Sequence, residues 1–196
     1  DLLAALRTGE IVLHYQPKLS LDTGKVVGVE ALARWFHPVH GMVPPSHFVP
    51  LAETGNLIDD LTAVVVDLAA NEIDVLAKAN FPISVAVNVS AANLDHLDFP
   101  DRIEEACLRT CGSCEKLTVE LTESAQQSVT YLLDTMTRLR IKGASLSLDD
   151  FGTGYSSLVQ LHQLPFSEMK VDRSFVVGMT TSLECRTIVK SIIDLA

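Results

Sequence analysis

Five apolar stretches each deliver a polar group that a hydrophobic core does not need. Glu30 follows KVVGV, Asn88 follows PISVAV, and Glu120 follows KLTV with Glu123 three residues on. Asp149 and Asp150 close ASLSL, and Lys170 lies in SEMKVDR, on the same strand face as Asp172. Carboxylates with an amide oxygen suit a hard divalent cation such as Mg2+ or Mn2+. Glu30, Asn88, Glu120 and Asp149 could surround one ion, and Asp149 could bridge to a second that Asp150 also holds. Two such ions, ~3.5–4 Å apart, are the usual device for in-line attack at phosphorus. Lys170 would stand beside the attacking water, orienting it, or taking its proton where cations depress the lysine pKa.

Each residue alone has a plainer reading. A glutamate at a strand end is ordinary surface, Lys170 and Asp172 could be a rim ion pair, and Asp149–Asp150 could cap a helix. Five stretches converging on one chemistry favour a cluster. Adjacent aspartates repel, and a shared cation turns that repulsion into attraction.

The elements that would carry these groups alternate. Residues 1–7 read as a short helix closed near Gly9, and residues 11–21 and 25–35 as two strands around the DTG turn. The stretch FHPVHGMVPPSHFVP has four prolines and reads as a loop. Its His37, His40 and His47 lack metal-site spacing. Residues 56–80 form a long helical pattern. From about residue 83, strands (82–90, 116–124, 144–150, 167–173) alternate with helices (99–110, 128–143, 156–164, 183–196). Strand–helix repetition at this spacing predicts an α/β fold with a parallel sheet covered by helices. In an α/β barrel the active site lies at the carboxyl ends of the strands, where the polar groups stand here.

Composition sets outer limits. The 196 residues are 47% hydrophobic and carry a net charge of −10, which fits one globular domain and argues against coating a DNA or RNA duplex. No apolar run approaches the ~20 residues of a membrane span. No signal peptide is visible, and four cysteines make no disulfide scaffold, so the cytoplasm is the expected compartment. CLRTCGSC has the C-x3-C-x2-C spacing of some iron–sulfur sites, but it straddles a helix end, so structural thiols are the stronger reading. GTGYSS is not a nucleotide-binding glycine loop, and a switchable loop beside the ligands fits better.

YQPKL, VEALARW, VPPSHFVPLAE, VAVNVSA, VELTES, LDDFGTGYSSL and LPFSEMKVDRSFV together resemble the EAL domain, the cyclic di-GMP phosphodiesterase domain of bacterial signalling proteins. The namesake tripeptide would be Glu30-Ala31-Leu32. The resemblance implies a modified TIM-type (β/α)8 barrel with an antiparallel first strand, over residues 1–196 as one domain. It implies hydrolysis of cyclic di-GMP to the linear dinucleotide pGpG with Mg2+ or Mn2+, two ions in all. By position, Glu30, Asn88, Glu120, Asp149 and Asp150 resemble metal ligands, and Lys170 resembles the residue that contacts the nucleophilic water. Glu123 resembles the glutamate that holds the loop after the fifth strand. Gln16, Leu32 and Arg34 resemble substrate contacts, Gln16 towards a guanine and Arg34 towards a phosphate. A homodimer, fused to a sensory or receiver domain and not inserted in a membrane, is the expected assembly.

Only six of eight strands are counted. A chain starting at Asp1 and stopping in a helix at Ala196 is expected to be cut from a longer one, and the resemblance implies that the last two strands and a further metal-binding glutamate are missing from it. Two alternatives to the phosphodiesterase remain open: a non-catalytic cyclic di-GMP receptor, and a fragment inactive without its carboxyl-terminal segment. An iron–sulfur enzyme would rest on CLRTCGSC alone.

Overall fold

A computed structural model of the chain describes residues 1–122, 132–152 and 163–195. The elements are α1 (Leu2–Thr8), β1 (Ile11–Leu19), β2 (Val26–His37), β3 (Gly41–Val43), α2 (Pro45–Thr54) and α3 (Ile58–Lys78). They continue as β4 (Ser84–Asn88), α4 (Ala91–Leu94), α5 (Phe99–Thr110), β5 (Leu117–Thr122), α6 (Leu132–Ile141) and β6 (Ser145–Phe151). The last are β7 (Glu168–Val171), α7 (Arg173–Gly178) and α8 (Leu183–Leu195).

One mixed sheet runs β1-β2-β4-β5-β6-β7, with β3 paired to β2 off this path. β1 is antiparallel to β2, and every later neighbour in the path is parallel. The α/β class is as the strand–helix alternation predicts, and the antiparallel first strand is as the resemblance implies. β4, β5 and β6 have consecutive buried positions and so are covered on both faces, with Val85, Val87, Leu117, Val119, Leu146 and Leu148 forming the apolar side. α3 buries Ile58, Leu61, Thr62, Val65, Val66, Ala69, Ala70 and Ile73. That spacing of three and one is the stripe of an amphipathic helix. Thr118, Glu120 and Ser147 are buried polar residues on the opposite face of β5 and β6 from Leu117, Val119, Leu146 and Leu148.

The prolines of residues 36–50 mislead the sequence reading. Phe36 and His37 extend β2 beyond the expected strand, and with Trp35 they pair with Met42, Gly41 and Val43 of β3. Gly41 sits at φ +68, which lets the chain fold back. Pro45 opens α2, where its missing N–H has no bond to lose. Glu30 therefore does not end a strand. β2 runs seven residues further, but its parallel pairing with β4 stops at Ala31, so Glu30 still stands at the rim of the parallel sheet.

The sheet is strongly curled. Lys18 of β1 bonds Glu168 of β7 at 2.7 Å, although five strand spacings separate those strands. Flat, the strands would lie roughly 24 Å apart, far beyond the reach of two side chains. Among the described residues, no helix is long and apolar enough to cross a membrane.

Candidate functional site

The curl gathers charge on the concave face. One oxygen each from Glu30, Glu120 and Asp149 lie within 4.8 Å of one another. They come from β2, β5 and β6, and Lys170 enters from β7. Its Nζ donates to Glu30 Oε2 at 3.1 Å, Glu120 Oε2 at 2.9 Å and Asp149 Oδ2 at 3.1 Å. Asn88 Nδ2 donates to Glu30 Oε1 at 2.9 Å. Glu120 is fully buried. Its second oxygen, Oε1, accepts from Lys18 Nζ at 2.8 Å.

The electrostatics follow from these contacts. Burial works against the Lys170 ammonium, but the carboxylates of Glu120 and Asp149 outweigh it and raise the pKa. Lys18 shows the same balance: burial opposes its charge, and Glu120 and Glu168 more than offset that. Burial also opposes ionisation of Glu30, yet the bonds from Asn88 and Lys170 hold its carboxyl below the usual range. The centre is thus an ammonium inside a ring of carboxylate oxygens. A hard divalent cation would take the same oxygens, so the donor set fits one.

Asp150 stands apart from the three. It adopts φ +55, at a break in the pairing of β6 with β7 between Leu148 and Phe151. Its backbone N–H donates to Asp149 Oδ1 at 2.9 Å. Burial and the carboxylates of Asp149 and Asp172 push its pKa up, and its side chain bonds Asp172. Asp172 also caps α7, accepting from the Ser174 N–H at 2.8 Å.

Beside the carboxylates opens a cleft of about 410 Å3, lined by Leu32, Val49, Leu61, Asn88, Ser90 and Thr122 among others. Leu32 lines this cleft together with Asn88, whereas Gln16 and Arg34 do not line it. Gln16 pairs in register with Glu30. Arg34 donates to the Ala33 carbonyl at 2.8 Å. Glu123, the GTGYSS stretch beyond Gly152 and most of the expected helix over 156–164 lie outside the described residues.

Sequence reasoning missed Lys18 and Glu168. Each had a signal in its spacing: Lys18 lies two residues from Gln16, and Glu168 two from Lys170, so each shares a strand face with a residue already singled out. The cysteine cluster reads as structural. Cys107 and Cys114 are buried, and Cys111 Sγ donates to the Ser113 carbonyl at 3.2 Å.

A family model described as EAL domain matches residues 1–196. The bifunctional diguanylate cyclase/cyclic di-GMP phosphodiesterase MucR of Pseudomonas aeruginosa is 40% identical over 100% of this chain and 29% of its own length. The cyclic di-GMP phosphodiesterase RocR of the same organism is 38% identical over 100% of this chain and 50% of its own. This chain thus spans half or less of those two relatives. A solved structure described as the PaMucR phosphodiesterase, c-di-GMP complex, superposes with a TM-score of 0.93 at 38% identity. It covers 100% of this chain and 80% of the other.

Proposed function

Because the chain belongs to the EAL domain family, we propose that it hydrolyses one phosphodiester bond of cyclic di-GMP to give pGpG, with Mg2+ or Mn2+. One observation carries the reading: three carboxylates from three strands converge on a single cationic centre beside a cleft. Glu30, Glu120 and Asp149 would hold one cation, with Asn88 beside Glu30, and Asp149 with Asp150 would hold a second. When bound, a divalent cation acidifies water and neutralises charge on the phosphoryl oxygens.

The protein's own groups do the rest. Asn88 fixes Glu30 by occupying Oε1, which leaves Oε2 directed at the centre. Lys170 Nζ donates to Glu30, Glu120 and Asp149 here, and beside a bound cation it would orient the attacking water or a phosphate oxygen. Leu32 and the apolar wall of the cleft would exclude water beside the scissile bond. Gln16 and Arg34 are proposed to meet guanine and phosphate, and Glu123 to hold the loop that follows β6.

The curled sheet supports a TIM-type barrel to which residues 1–196 belong as one domain. The greater length of the relatives supports fusion to regulatory domains in the whole protein, which we propose acts as a homodimer in the cytoplasm.

The test is to incubate the chelator-stripped full-length protein with cyclic di-GMP and Mn2+, with chromatography of the products. Linear pGpG is expected, and Glu30→Ala should abolish it while leaving the circular dichroism spectrum unchanged. Tight binding without product would make the domain a receptor instead.

A further inference from the structure

Lys18 takes no part in the mechanism above, yet it holds the most deeply buried carboxylate of the site. Glu120 has two oxygens. Oε2 faces the centre shared with Glu30 and Asp149, and Oε1 accepts from Lys18 at 2.8 Å. The hydroxyl nearest in register, that of Ser147 on β6, is buried and makes no hydrogen bond among the described residues. Lys18 is therefore the partner that fixes Oε1. Glu168 anchors the same ammonium at 2.7 Å from the far edge of the sheet.

We propose that Lys18 is a positioning residue of the cation site: anchored by Glu168, its ammonium withholds Oε1 of Glu120 and commits that ligand to Oε2. This rests on the metal-dependent reading of the site. The arrangement has two consequences of opposite sign. A fixed positive charge near the centre repels a divalent cation, so Lys18 lowers cation affinity while holding the geometry of Glu120. Glu168 offsets that charge, so it raises affinity although it does not reach the centre.

The test is calorimetric titration of the chelator-stripped full-length protein with MnCl2, with kcat and KM for cyclic di-GMP measured in parallel. Lys18→Met should bind Mn2+ about tenfold tighter, equivalent to about 1.4 kcal/mol. Its kcat should fall and its KM stay unchanged, because Glu120 is no longer held to one oxygen. Glu168→Gln should bind Mn2+ several-fold more weakly, and Lys18→Arg should restore wild-type affinity to within about twofold. Damage to packing would move both variants the same way, so a shared direction overturns the assignment. So does unchanged or weaker binding by folded Lys18→Met, or a change confined to KM. If Lys18→Met does not fold, Glu168→Gln decides alone, and binding as tight as wild type refutes the role. A wild-type protein that binds no Mn2+ would refute the metal reading itself, and this inference with it.

Discussion

Replacing Glu120 by Gln keeps the shape of the side chain and removes its charge. The carboxylate is fully buried and accepts from Lys18 at 2.8 Å and Lys170 at 2.9 Å. A hydrogen bond to a charged group contributes about 1.5–3 kcal/mol, so losing two in full would cost ~3–6 kcal/mol. The loss is partial. Lys18 keeps Glu168, Lys170 keeps Glu30 and Asp149, and the glutamine carbonyl can still accept one bond. The lower end applies, about 3 kcal/mol, which also matches the cost of removing one partner from a buried ion pair. For a chain of this size that lowers Tm by roughly 6–12 °C. Urea unfolding can be followed through Trp35, the single tryptophan, which is 5% exposed. Equal or greater stability in Glu120→Gln would refute the reasoning. It would mean that desolvation of the carboxylate cancels everything the two lysines contribute.

Gly152→Ala should destabilise by about 1–3 kcal/mol and lower turnover, measured by thermal unfolding and initial rates. The glycine sits at φ +102, and an added Cβ would come within 2.8 Å of the Phe175 ring, two residues from Asp150. Tyr15→Phe should flatten the alkaline side of the stability profile. Burial and then Glu72 push the Tyr15 phenol up to about 12 in the folded chain. The unfolded chain releases that proton near pH ~10, so the wild type loses stability as pH rises from ~10 towards ~12. Urea titrations on either side of that window should show a smaller loss in the variant. An identical loss in both proteins would remove Tyr15 as its source.

How legible the molecule was in its sequence depended on locality. The strands from residue 83 onward could be read because Val85, Val87, Leu117, Val119, Leu146 and Leu148 make dense apolar runs between helices. The polar residues interrupting those runs pointed to a site for the same reason. A buried Glu120 in KLTVELT has no packing role. Short elements fared worse. β3 is three residues long and exists because β2 offers it an edge, which four nearby prolines concealed. The contacts of Lys18 were out of reach, because they require the sheet to curl until its first and last strands meet. The separation of Asp150 from the three converging carboxylates was equally hidden. It depends on a positive φ and a pairing break that an alternating strand pattern does not encode.

The central claim is that Glu30, Glu120 and Asp149 form a cation site where Lys170 now stands. Crystals of the full-length protein soaked with Mn2+, measured at the manganese edge, test it most directly. The account predicts an anomalous peak bonded to those three carboxylates, with Lys170 Nζ moved off Glu120 Oε2. No peak there, with Lys170 still held by all three carboxylates in the presence of Mn2+ and cyclic di-GMP, would contradict it.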